Sequence, residues 1–168
     1  MNGHDPTPRA SDAPPGPSLS GRDRIATLIP HQDGMCLWDE VVDWDAGTIR
    51  LRCRGHRDPG HPLRSHGGLR AVHLCEYGAQ AMAVHGGLRA HDGGNAAQPG
   101  LLVALRDVRL YVDRIDGLAG ELECEAQVLV ESESSQQYSF RIHHAGTLLA
   151  EGRAAVILQP DPPSSGPL

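Results

Sequence analysis

The stretch L-R-A-V-H-L-C-E-Y-G-A-Q-A-M-A-V-H-G-G-L, Leu69 to Leu88, decides how this chain is read. It is almost entirely apolar or small, as a helix buried on nearly every side must be. Within it stands Glu76, with His73 one turn before and Gln80 one turn after. Residues three and four apart share a helix face. A carboxylate there is costly to bury unless it is paired or protonated. Gln80, Tyr77 or a backbone group can satisfy it structurally; an acid kept protonated in an apolar setting can also do proton chemistry. The Gly86-Gly87 pair is the expected end of the helix.

The flanking segments alternate. Ile49, Leu51 and Cys53 alternate with Arg50, Arg52 and Arg54, the period of a half-buried strand. Leu122, Cys124, Ala126, Val128 and Val130 do the same against Glu121, Glu123, Glu125 and Gln127. Met35 to Asp43 and Leu101 to Leu110 read as further strands. Gln136 to His143 and Thr147 to Leu158 form a hairpin about Ala145-Gly146. Gly21 to Ile29 is a short helix stopped by Pro30. The order is helix, two strands, one long helix, four strands. That is α+β, an antiparallel sheet wrapped around one long central helix.

The 168 residues read as one domain, 22–159. Residues 1–21 and 160–168, rich in Pro, Ser, Asp and Gly, read as a disordered arm and tail. The arm has neither the apolar run nor the basic start of a signal peptide, and no window is long enough to span a bilayer. A net charge of −6 argues against nucleic acid as partner. Every basic side chain other than histidine is arginine. Arg50, Arg52, Arg54, Arg57, Arg64 and Arg70 are candidates for docking an acidic carrier, the first three being more simply a solvated strand face. Four cysteines without a C-x-x-C pair read as reduced core residues of a cytoplasmic protein. The ten histidines show no metal-binding spacing, so neither a metal nor another cofactor is expected. His85 is expected to cap carbonyls near the helix end, and His31 to be structural.

Four stretches carry a resemblance. Leu28 to Val42 (L-I-P-H-Q-D-G-M-C-L-W-D-E-V-V), Glu76 to Gln80 (E-Y-G-A-Q), Gly100 to Leu110 (G-L-L-V-A-L-R-D-V-R-L) and Ala145 to Val156 (A-G-T-L-L-A-E-G-R-A-A-V) occur in this order. Together they resemble bacterial 3-hydroxyacyl-[acyl-carrier-protein] dehydratases. E-Y-x-A-Q-A-M-A-x-H-G is most similar to the divergent branch of aryl-polyene and xanthomonadin-type pigment pathways. The resemblance implies the hotdog fold and a catalytic Glu76. It also implies a carrier-bound acyl substrate of a fatty-acid or polyketide pathway. The active unit would be a homodimer, or a heterodimer with a related hotdog subunit.

The family's catalytic histidine lies in a Gly-His-Phe-Pro loop. Here Gly60-His61-Pro62 keeps the Gly-His pair, but the distance to Glu76 is one residue longer. His73 is therefore a candidate beside His61, and His66 a third. Dehydration needs a base for the C2 proton and an acid for the C3 hydroxyl. A histidine and Glu76 supply both. Backbone N–H groups from Gly68 to Ala71, at the helix start, are expected to hold the thioester carbonyl, with Arg70 and Gln80 also on the substrate. Two alternatives stand beside this: a non-catalytic partner subunit of such a dehydratase, and a hotdog thioesterase using Glu76.

Overall fold

The computed structural model describes residues 16–29 and 34–159; His31 lies outside them, as do residues 1–15 of the expected arm and the whole expected tail. Its strands are β1 (Leu19–Ser20), β2 (Glu40–Trp44), β3 (Thr48–Cys53), β4 (Gly100–Leu110), β5 (Leu122–Glu131), β6 (Ser135–His144) and β7 (Thr147–Leu158). They form one antiparallel sheet in the order β1-β2-β3-β5-β6-β7-β4. A short helix, α1 (Arg22–Ala26), precedes β2, and the long helix α2 (Leu74–Asp92) packs on β3, β4, β5, β6 and β7. The chain has the expected hotdog architecture. Among the described residues, no helix is long and apolar enough to cross a membrane.

Alternation sets the register. Ile49, Leu51 and Cys53 lie opposite Ala126, Cys124 and Leu122, all buried beneath α2. On the other face Arg50 faces Glu125 and Arg52 faces Glu123, opposite charges directly across a strand pair. Arg50 also pairs with Asp43, and Arg52 and Arg54 with Glu121. Arg50 and Arg52 are a strand face, and Arg54 stands just beyond its end.

Three boundaries differ from the sequence reading. Residues 16–21 belong to the fold: Leu19 and Ser20 pair with Val41 and Glu40, and Gly16 bridges Trp44. Truncation through Ser20 therefore removes a strand. Residues 35–39 are not strand. Side chains of α2 and its neighbours hold them instead, the Trp38 indole N–H donating to the Tyr77 carbonyl at 3.0 Å. Finally, α2 runs through Gly86 and Gly87 to Asp92. A Cβ at Gly87 would sit 2.5 Å from the Leu28 carbonyl oxygen. That glycine serves close approach, and the helix stops only at Gly93.

Phe140, the only phenylalanine of the chain, shows the same device. A Cβ at Gly78 of α2 would lie 2.6 Å from its ring, and one at Gly152 of β7 2.9 Å. The ring fills a slot between two bare backbones. Cys36, Cys53 and Cys124 are buried free thiols, while Cys75 is only half-buried.

Candidate functional site

Glu76 lies in the first turn of α2 and lines a groove of about 1120 Å³. The groove follows the helix past Ala79, Ala83 and Gly86 toward Arg89, with Leu102, Val156 and Leu158 opposite. Gln80, fully buried, orients the carboxylate. Its amide nitrogen donates to Glu76 Oε1 at 3.0 Å and to the Met35 carbonyl at 2.7 Å, and its oxygen accepts the Leu37 N–H at 3.0 Å. Both amide protons are thus committed within the chain. The expected substrate contact of Gln80 is corrected to a positioning role, held by the 35–39 segment that does not become strand.

His73 ends a short 3-10 turn, Ala71–His73, that leads into α2. Its half-buried ring makes no hydrogen bond among the described residues, and it lies close enough to His61 to disfavour a charge there. His61 is buried. Its Nδ1 accepts the Leu63 N–H at 3.2 Å, so Nε2 carries the proton and meets the Tyr77 hydroxyl at 2.8 Å. The two rings stack at 6.0 Å. His61 is therefore spoken for on both nitrogens. Tyr77, expected as a possible partner of Glu76, meets His61 instead, a pairing that sequence reading missed. His66 sits at φ 48° in the turn between Ser65 and Gly68.

Three of the four N–H groups expected to hold a thioester are consumed. Gly68 donates to Ser65 O at 3.0 Å, Leu69 to Asp116 Oδ1 at 3.0 Å and Ala71 to Asp113 O at 2.9 Å. Ahead of the 3-10 turn the chain is a strap bridged to Arg114 and Ile115, which turns the Leu69 and Ala71 donors into the fold. This corrects the role given to Gly68. Arg70 is exposed at this strap. Neither it nor exposed Arg57 has an ion pair among the described residues, whereas Arg64 pairs with Asp116 at 3.4 Å.

His85 is also corrected. It is buried in the middle of α2, with Nε2–H donating to the Asp45 carbonyl at 2.7 Å and Nδ1 facing the Tyr138 hydroxyl at 2.9 Å. A carbonyl some forty residues away in the chain, not the helix end, takes its proton.

A family model described as ApeP-like, ApeP dehydratase, matches residues 23–165. The chain belongs to the ApeP-like dehydratase family. Among solved structures it is similar to the dehydratase heterocomplex ApeI:P from Xenorhabdus doucetiae, at 23% identity over 82% of this chain and 91% of that one, TM-score 0.73. It is also similar to zebra fish thioesterase superfamily member 2, at 17% identity over 82% and 95%, TM-score 0.57. AziG of S. sahachiroi is 16% identical over 70% and 88%, TM-score 0.52. These likenesses establish the shared fold. No curated protein matches the chain.

This ApeP-like chain holds three buried neutral histidines. Burial pushes His56, His61 and His85 below the ordinary value near 6.5. The unfolded chain therefore binds these protons more readily than the folded one. Their stabilisation is complete above about pH 6.5 and is lost as pH falls below it. Thermal unfolding midpoints should be flat from pH 8 to about 7, then drop between about 6.5 and 5. A midpoint that rises over that acid window would contradict neutral burial.

Proposed function

We propose that this chain dehydrates 3-hydroxyacyl thioesters on an acyl carrier protein, as one subunit of a two-subunit hotdog dehydratase of a fatty-acid or polyene-pigment type pathway. The observation that carries the reading is Glu76 on the wall of an apolar groove, aimed by a fully committed Gln80. Glu76 gives the proton that lets the C3 hydroxyl leave as water. His73, one turn earlier and free of hydrogen bonds among the described residues, though not among the residues that line the groove, takes the C2 proton. The double bond forms as the C2–H and C3–O bonds break, with no cofactor in the balance.

The open edge of β4 supports a partner. One side of the strand pairs with β7; the other pairs with nothing among the described residues. Leu101, Leu102, Val103, Leu105, Val108 and Leu110 are all exposed, Leu101 at 57%. A long apolar edge of this kind calls for another sheet. The similar heterocomplex suggests that a related hotdog subunit supplies it, and with it the donor for the thioester carbonyl. Arg57 and Arg70, without an ion pair among the described residues, offer charge to an acidic carrier. Four free thiols fit a reducing cytoplasm.

One observation favours a second reading, in which the partner brings the histidine. His61, at the family's loop position, has no nitrogen left for substrate. Turnover of a 3-hydroxyacyl carrier thioester, measured for the chain alone and with its partner, tests both. His73→Asn should lower kcat/KM by about 100-fold or more. His61→Asn should lower the melting temperature more than the rate. If both variants match wild type, the partner's histidine does the work. If neither preparation dehydrates the substrate, the proposal fails.

A further inference from the structure

Resting on that reading, we infer that the ion pair between Arg89 and Glu131 is the distal stop of the acyl groove and sets the chain length it accepts. Arg89 lies on α2 thirteen residues beyond Glu76, an axial distance of about 20 Å at 1.5 Å per residue. Between them the helix presents Ala79, Ala83 and Gly86 to the groove. Around Arg89 the lining turns polar, with Asn95, Glu131 and Gln136 beside it. Arg89 reaches across to β5 and binds both Glu131 carboxylate oxygens, at 2.9 and 2.8 Å. Gln136 donates to the same carboxylate at 2.7 Å. The guanidinium also interacts with the Tyr138 hydroxyl, which His85 ties to Asp45. The stop is thus braced from the core.

An alkyl chain lying along the groove gains from each methylene taken out of water. A chain end pressed onto the clamp strips water from charged groups and returns no hydrogen bond. Gain therefore ends where the clamp begins. Gly86 provides an independent handle. A Cβ there meets nothing within 4 Å, so a side chain at that position projects into groove space one turn short of Arg89.

Binding of saturated straight-chain acyl-pantetheines of increasing length, followed by calorimetry on the chain and on its complex with the partner subunit, tests this without requiring turnover. For wild type, affinity should rise by about fourfold per methylene, the ratio that burial of one CH2 corresponds to, and then level off. Gly86→Leu should move the plateau to shorter chains by about one helical turn of length. Leucine is also the better helix former there, so this variant folds. Arg89→Leu combined with Glu131→Leu should move the plateau to longer chains; if that pair does not fold, the Gly86 variant decides alone. The same plateau in every folded variant, or no acyl binding at all, overturns the inference. Shifted plateaus in a protein that dehydrates nothing would sink the proposed reaction and leave the ruler standing. Dehydration with an unmoved plateau would do the reverse.

Discussion

Glu76→Gln is expected to lower kcat/KM for a 3-hydroxyacyl thioester by about 100-fold or more while leaving the melting temperature in place. The substitution is nearly isosteric. Gln80 donates to Glu76 through its amide nitrogen, and a glutamine at position 76 offers a carbonyl oxygen to that donor. The contact with Gln80 survives, and the rate then reads the loss of the transferable proton. A structural carboxylate would behave otherwise: its amide would retain turnover. Steady-state rates and a melting curve on the same preparation separate the two. Full activity of Glu76→Gln would remove Glu76 from the chemistry and with it the proposed reaction.

Phe140→Ala should destabilise the fold by about 3–5 kcal/mol, near the upper end because the hole cannot close. The ring is wedged between Gly78 and Gly152, and neither neighbour has a side chain to swing inward. Urea unfolding at fixed protein concentration measures the loss. The slot also fixes the sign of a coupling. Gly78→Ala in wild type drives a methyl group into the ring and should destabilise. In the Phe140→Ala background the same methyl enters the vacated space and gains helix propensity, so it should stabilise. A cycle without this reversal would mean that the two groups do not compete for one volume.

Much of the architecture could be read from local pattern. The Arg/Ile and Glu/Leu alternations of β3 and β5 define both the buried face and the register, because a half-buried strand has a period of two. The link between Glu76 and Gln80 was legible for the same kind of reason, one turn of helix. What escaped was set by distant parts of the chain. His61 and Tyr77 meet only because a loop folds under α2. His85 finds Tyr138 and the Asp45 carbonyl, and no local rule pairs them. The helix start was misplaced because Asp113 and Asp116 draw the N–H groups of Ala71 and Leu69 into a strap. The helix end was misplaced because glycine signals either a stop or a close approach, and at Gly87 the neighbour that decides is Leu28.

The unpaired side of β4 bears on how the protein must be made. Eleven residues of strand, with Leu101, Leu102, Val103, Leu105, Val108 and Leu110 exposed along it, present an edge that pairs with no other strand among the described residues. Two irregularities interrupt the strand, the second placing Asp107 at φ 52° between Arg106 and Arg109, and such bulges and charges blunt an edge only locally. A copy released from the ribosome with this edge uncovered is therefore a template for whatever unfinished strand it meets. On the proposed two-subunit reading, balanced, neighbouring translation of the pair becomes a requirement of this edge, and surplus copies become work for chaperones and proteases.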